Sequence, residues 1–107
     1  DLISSVIANV INNSIRYAKS AISLRAWMEQ DHLVISVCDD GDGYPEAMIE
    51  QQANYAAGIR MSTGSTGLGL YFGHQIARLH QRNELHGYIE LRNDSPLGGG
   101  EFRLVLP

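Results

Sequence analysis

LeuValIleSerValCys at 33–38 runs without a break into AspAspGlyAspGlyTyrPro at 39–45. The first six residues are apolar apart from one serine and rich in β-branched side chains, which is the composition of a largely buried strand. Two glycines and a proline then stop it, so an acidic turn stands at the end of a strand. Just upstream, AlaIleSerLeuArgAlaTrpMet at 21–28 alternates well enough to be a second strand, and GluGlnAspHis between the two predicts a hairpin.

Further toward the amino end, Ile3, Val6, Ile7, Val10, Ile11, Ile15 and Ala18 fall on one broad face at helical spacing, predicting a helix from Leu2 to about Lys19. At about 100° per residue, Asn9, Asn13 and Arg16 cluster within about 60° of one another on the edge of that face. On the other side of the acidic turn, a short helix is expected from Glu46 to about Tyr55, followed by the small-residue run AlaAlaGlyIleArgMetSerThrGlySer at 56–65. A loop of this length within a small domain reads as a lid, here spanning Pro45 to Gly64. Leu68, Phe72, Ile76 and Leu79 then predict a helix from Gly67 to about Gln81. TyrIleGluLeuArg at 88–92 and GluPheArgLeuValLeu at 101–106 predict a second hairpin around AsnAspSerProLeuGlyGlyGly. Helices with one apolar face alternating with sequential hairpins predict an α+β fold: a two-layer sandwich, both helices on one side of a mixed, largely antiparallel sheet.

The bulk numbers bound the function. A chain of 107 residues is long enough for one core and too short for two, so residues 1–107 are read as one domain. The net charge of −4 argues against a nucleic-acid surface, which needs a basic excess to displace counterions. Cys38 is the only cysteine, which excludes an internal disulfide and fits a cytoplasmic setting; its place in an apolar run points to core packing. No stretch of eighteen apolar residues exists, so no direct membrane contact is expected of this domain. Opening without Met, directly into a helix, is what a fragment of a longer protein would do.

Three segments carry chemistry. Asn9 and Asn13, one helical turn apart, offer amide oxygens to a hard cation such as Mg²⁺, which takes few protein ligands and completes its shell with water and phosphate; a polar helix edge is the plainer reading. Asp39, at the mouth of a cleft, would be costly to bury ionised unless it accepts hydrogen bonds, and the exocyclic amine of adenine is a suitable donor; an ordinary Asp-Gly turn is the plainer reading here. Gly64, Gly67 and Gly69 precede a helix, presenting amides and a positive dipole end to an anion. No Lys follows them as in a Walker loop, and the GxGxxxG of Gly67, Gly69 and Gly73 lacks the strand of a dinucleotide fingerprint. AspXAspGly lacks the remaining ligands of a calcium loop. A metal-binding amide, a base-reading carboxylate and phosphate-holding glycines, in this order, point to a nucleotide site.

These residues resemble a known family. AsnValIleAsnAsnSerIleArgTyr at 9–17 is similar to the N box, AspAspGlyAspGlyTyrPro to the G1 box, and SerThrGlyLeuGlyLeu at 65–70 to the G2 box of the catalytic ATP-binding domain of sensor histidine kinases, within the gyrase, Hsp90, histidine kinase and MutL superfamily. The closing GlyGlyGlyGluPheArgLeuValLeuPro resembles the same domain's last segment. The resemblance implies the Bergerat ATP-binding fold, with ATP and Mg²⁺ bound. By the same resemblance, Asn13 coordinates Mg²⁺, Asn9 supports it and Arg16 contacts phosphate, and these three form the catalytic set. Tyr17 packs beside the nucleotide, Asp39 accepts the adenine amine, and Gly41 and Gly43 let the backbone approach the base. Ser65, Thr66, Gly67, Leu68, Gly69 and Leu70 hold the triphosphate, with Arg60 of the lid toward the γ-phosphate.

The chain departs from the pattern at Ser65, where the family has the first glycine of the G2 box, and at Ser14, where Ala is commoner. Its lid has no phenylalanine pair, since Phe72 and Phe102 lie outside it. The gyrase and Hsp90 branches carry a general-base Glu one turn before the metal Asn; here that position is Asn9, which cannot take a proton, so the resemblance selects the histidine kinase branch. It implies an ATP-dependent protein histidine kinase, of which this chain is the catalytic half. Its partners would be the protein's own dimerisation and phosphoacceptor domain, in a homodimeric parent whose membrane anchoring the sequence leaves open, and a downstream response regulator. None of His32, His74, His80 and His86 has acceptor-box neighbours, so surface or capping roles are expected of them. The family's domain usually begins with a further short strand ahead of the N-box helix, and this chain is expected to start after it. Two alternatives stay open on the residues: a degenerate module that binds nucleotide without catalysis, and a dinucleotide or phosphate binder using the glycines alone.

Overall fold

A computed structural model describes residues 2–56 and 73–107. Helix α1 (Leu2–Tyr17) leads into the hairpin β1 (Ile22–Glu29) and β2 (His32–Asp39), then helix α2 (Glu46–Ala56). Helical residues 73–78 (α3) follow, then the two-residue strands β3 (Gln81–Arg82) and β4 (Leu85–His86), and finally β5 (Tyr88–Arg92) and β6 (Glu101–Leu106). The four longer strands form one sheet in the order β1-β2-β6-β5, with every pairing antiparallel. The last strand therefore inserts between the first hairpin and β5, and the two predicted hairpins become one sheet. Gln30 and Asp31 close the first hairpin with φ of 50° and 66°, the left-handed pair that matches the twist of flanking strands.

Register explains the layers. Val37 lies opposite Phe102, which lies opposite Leu91; one rung along, Ile35, Leu104 and Ile89 repeat the arrangement. These rungs share one face of the sheet, and Val6 of α1, Met48 of α2 and Ala77 of α3 join them in a single core cluster, with Leu104 and Ala77 fully buried. The helices thus share one side of the sheet, as the one-faced hydrophobic patterns require.

Among the described residues the opposite face carries no helix, and it mixes polar side chains with the buried Val34 and Val105. Glu101 is buried there and accepts hydrogen bonds from Ser36 Oγ at 2.7 Å and Arg103 Nε at 2.8 Å. Burial by itself would raise its pKa, but the Arg103 and Ser36 bonds, with the charges of Arg103 and Arg92, hold it below the ordinary glutamate value. The guanidinium groups of Arg25 and Arg103 each lie 5.4 Å from the Trp27 ring centroid, so an aromatic and two cations roof the buried carboxylate.

One segment differs from the sequence expectation. The helix expected to reach Gln81 ends at 78, and Gln81 pairs instead with His86 in a miniature hairpin turned at Asn83, whose φ is 57°. His80 and His86 use Nδ1 on the carbonyls of Ile76 and Arg78, which satisfies the carbonyls at the helix end. His74 is no surface residue: it is 1 % exposed inside the core layer.

Burial first, and the charge of Arg78 second, push the His74 pKa down to about 4. Folding then excludes a proton that the unfolded chain binds below about pH 6.5, so the stability tied to neutral His74 is complete above that pH and is lost progressively toward pH 4. Urea unfolding between pH 6.5 and 4.5 is expected to show stability falling by about 2–3 kcal/mol, and His74→Leu to flatten most of that slope. An equal slope in both proteins would contradict the assignment.

Candidate functional site

A cleft of about 350 Å³ opens between α1, the start of α2 and the carboxyl end of β2, lined among others by Asn9, Asn13, Tyr17, Asp39, Gly43 and Met48. Val10, Ile89, Leu91 and Phe102 provide an apolar floor, and Asn9, Asn13, Asp39 and Asp42 supply the polar groups. A flat apolar slot with a few convergent polar atoms is the usual form of a small-molecule site.

Asp39 is the most constrained member. It is 7 % exposed at the end of β2, and its Oδ1 accepts from the amides of Gly41 at 2.8 Å and Gly100 at 3.3 Å. Its carbonyl accepts from Gly99 N at 3.1 Å and Ser95 Oγ at 3.0 Å, and its own amide donates to Gly100 O at 3.0 Å. Both side-chain bonds land on Oδ1; among the described residues Oδ2 accepts none. One oxygen is fixed by the backbone, and the other has no hydrogen bond from the described residues.

The loop after Asp39 is pinned from the loop between β5 and β6. Asn93 uses its amide as a substitute peptide: its Oδ1 accepts from Tyr44 N at 2.7 Å and its Nδ2 donates to Tyr44 O at 2.9 Å. Gly43 sits beneath it at φ 84°, and a Cβ there would approach Asn93 Oδ1 to 2.7 Å, so both conformation and space demand glycine. The Tyr44 phenol is held above its ordinary pKa by burial first and by Asp39 second, and it stays protonated.

The residues predicted from sequence divide into three groups. Asn9, Asn13, Tyr17, Asp39 and Gly43 meet in the cleft. Arg16 is exposed and outside the lining set, and Gly41 lies behind it, donating its amide to Asp39. Arg60, Ser65, Thr66, Gly67, Leu68, Gly69 and Leu70 lie outside the described residues, as does the lid beyond Ala56. Among the described residues no group of three or more His, Cys, Asp or Glu side chains could hold a metal. A hard cation here would rest on the Asn13 amide oxygen, with ligand oxygens and water completing its shell, and Asn13 is half-buried and suitably placed on the cleft wall.

Sequence reasoning passed over three residues. Asp40 accepts the amides of Lys19, Ser20 and Ala21 together with the Ser20 hydroxyl. The Ser20 hydroxyl, and then the backbone amides, hold its pKa well below the usual carboxylate range. Asn93 and Ser95 support the site across 49 and 56 residues of chain. Only the acid doublet beside two glycines was a local signal for any of them.

Comparison with known proteins places this geometry in a family. The model for histidine kinase-, DNA gyrase B- and HSP90-like ATPases matches residues 1–107. The circadian input-output histidine kinase CikA of Thermosynechococcus vestitus is 34 % identical over 98 % of this chain and 14 % of its own length. The sensor-type histidine kinase PrrB of Mycobacterium tuberculosis is 34 % identical over 92 % of the chain and 21 % of its own length. The sensor histidine kinase CpxA of Escherichia coli is 31 % identical over 98 % of the chain and 22 % of its own length. The chain thus spans 14–22 % of the length of these curated relatives. A solved structure, the mycobacterial sensor histidine kinase MprB, superposes with a TM-score of 0.67 at 20 % identity, covering 95 % of this chain and 67 % of that one. At that identity the likeness establishes the fold.

The turn behind Asp39 leaves no space for a side chain. A Cβ at Gly99 would lie 2.5 Å from Asp39 Oδ1 and 2.7 Å from both Asp39 O and Gly41 N. Gly99→Ala is therefore expected to destabilise the protein by about 2 kcal/mol and to displace the Asp39 carboxylate, whereas Leu97→Ala, at a half-exposed site nearby, should stay within about 0.5 kcal/mol. Urea midpoints, with amide shifts of Gly41 and Gly100, check this; a neutral Gly99→Ala would refute the packing.

Proposed function

We propose, from the premise that this chain belongs to the family of histidine kinase-, DNA gyrase B- and HSP90-like ATPases, that it binds Mg-ATP and presents the γ-phosphate to a histidine on a separate dimerisation domain. The cleft that joins Asn13 to Asp39 over an apolar floor carries the reading. Similarity over nearly the whole chain to proteins named histidine kinases supports the choice of branch.

Each residue has a role that its chemistry allows. Asp39 Oδ2 accepts the exocyclic amine of adenine, with Oδ1 already held by Gly41 and Gly100. The base lies on Ile89, Leu91 and Phe102, with Met48 and Tyr17 at its sides. Asn13 contributes an amide oxygen to Mg²⁺, whose chemistry is to neutralise phosphate charge as it develops. Asn9 holds the neighbouring position on α1, and Arg16, with Arg60 and the 65–70 segment, is assigned to the phosphates.

Water is a poor nucleophile without a base, and an amide at Asn9 cannot accept its proton. The γ-phosphate therefore waits for an imidazole, which attacks in line once the two domains are juxtaposed; this domain's contribution is positioning and charge stabilisation. The phosphohistidine would in turn serve a response regulator. Among the described residues no helix is long and apolar enough to cross a membrane, and we place this domain on the cytoplasmic side, where ATP is available.

Calorimetric titration with ATP, with and without Mg²⁺, tests the site. Binding is expected in the micromolar to submillimolar range, and Asp39→Asn to weaken it by at least about tenfold, since an amide donor would then face an amine donor. Asn13→Ala is expected to remove the Mg²⁺-dependent part of the affinity and leave the fold intact. Undiminished binding in either variant would refute that residue's role. Incubation with the cognate histidine domain and labelled ATP then separates a kinase from a module that only binds.

A further inference from the structure

We propose that Asp40 is a positioning residue for nucleotide binding: outside the cleft itself, its carboxylate fixes the carboxyl end of α1 and thereby the placement of Tyr17 and Asn13 over the pocket. The proposal rests on reading the cleft as a nucleotide site.

The geometry is that of an anion seated among backbone amides. Asp40 Oδ1 accepts from the consecutive amides of Lys19 at 2.8 Å, Ser20 at 3.0 Å and Ala21 at 3.1 Å. Its Oδ2 accepts from Ser20 Oγ at 2.5 Å and Ser20 N at 3.1 Å. Three successive amides converging on one carboxylate form a small anion-binding nest, here filled from within the chain. These amides belong to the link between α1 and β1, so the nest decides where the helix ends and how it joins the sheet.

That link continues directly into the cleft. The Tyr17 carbonyl lies against Gly41 so closely that a Cβ at Gly41 would overlap it. Tyr17 precedes the clamped residues, Asn13 is one turn earlier, and both line the cleft. Ser14, between the two, and Val6, further back, are buried and hold the helix body. Loss of Asp40 therefore releases the last turn rather than the whole helix. Among the described residues the link would keep the Ala18 N to Ser14 O bond at 2.8 Å, the Asp40 N to Ala21 O bond at 3.3 Å and the Lys19–Asp42 ion pair at 3.2 Å. The ion pair is highly exposed, and such pairs contribute little.

Asp39 and Asp40 thus divide the work at the end of β2. Asp39 lines the cleft and grips the 95–100 loop, while Asp40 grips the α1 link from outside the lining set. Only the first is assigned to touch a ligand.

The test compares Mg-ATP affinity by calorimetry in the wild type, Asp40→Ala, Asp40→Asn and Val105→Ala, the last a buried site on the helix-free face, at a temperature where circular dichroism shows all four folded. Asp40→Ala is expected to weaken binding by about five- to tenfold, and Asp40→Asn, whose amide oxygen can still take the three amides, to stay within about threefold of wild type. Val105→Ala is expected to lower the melting temperature and leave affinity unchanged. Wild-type affinity in Asp40→Ala overturns the proposal and leaves the nucleotide reading standing. Affinity lost in proportion to melting temperature in both Asp40→Ala and Val105→Ala also overturns it, by making the effect one of general stability. A folded wild type that binds no Mg-ATP overturns the reading of the cleft and the proposal with it. Should Asp40→Ala not fold, Ser20→Ala takes its place, with shifted Tyr17 and Asn13 amide resonances and about a two- to threefold loss expected; unchanged resonances and affinity overturn the proposal.

Discussion

The aspartate doublet at the end of β2 is the constraint on which the site depends. A strand turns successive side chains to opposite sides, so two adjacent carboxylates at its end can bind two different neighbours. Asp39 takes the loop between β5 and β6, and Asp40 takes the link between α1 and β1. Elements distant in sequence are thereby tied to one point on the central hairpin. Carboxylate bonds to backbone amides are charge-assisted and stronger than neutral ones, so the doublet holds these loops where apolar packing alone would leave them loose.

The two sheet faces solve different problems. The helix-bearing face is an ordinary apolar layer through Val37, Phe102 and Leu91. Among the described residues the other face has no covering helix, yet Ser36, Cys38 and Glu101 on it are buried. Arg25, Trp27 and Arg103 act as the cover, the two guanidinium groups pairing with the Glu101 carboxylate and lying against the Trp27 ring. At the β5 edge, Gln52 of α2 donates to Leu91 O at 3.2 Å and accepts from Leu91 N at 2.9 Å, completing the ladder as a further peptide would. Asn93 does the same for Tyr44. Side-chain amides thus replace backbone at the points where the helix layer meets the sheet, which keeps an exposed edge from acting as a template for foreign strands.

Much of this was legible in the sequence, and the rest was hidden for physical reasons. Periodicity located both hairpins and the helices because each element has one apolar side, and the two segments around Asn13 and Asp39 announced the cleft, while the glycine segment lies outside the described residues. Asp40 could not be singled out, because its partners at 19–21 are backbone amides, which every residue type supplies. Asn93 and Ser95 read as loop formers and are indeed in a loop; their contacts with Tyr44 and Asp39 depend on β6 entering between β2 and β5, a topological fact without local trace. The predicted helix runs on to about Gln81, where β3 begins, since Leu79 maintains the helical spacing although the structure leaves it exposed. Asn83 in the left-handed region was the overlooked signal. His74 was misplaced because helical spacing does not reveal that a histidine adjoins the buried Ala77 layer.

The distribution of restraints also bears on what the domain can do alone. At the base end of the cleft, Asp39, Gly41, Tyr44, Asn93, Gly99 and Gly100 are held by mutual hydrogen bonds and close contacts, so this part is formed before any ligand arrives. A preformed pocket spends little ordering entropy on binding, and on the proposed reading adenine recognition would supply affinity without distorting the phosphates. At the other end stands an amide, Asn9, where a hydrolytic relative would need a carboxylate. On the proposed reading, base recognition without activation of water would keep the nucleotide intact. Such a domain would hold ATP until a separate nucleophile is brought to it, and the timing of transfer would then lie with whatever moves that nucleophile rather than with the cleft.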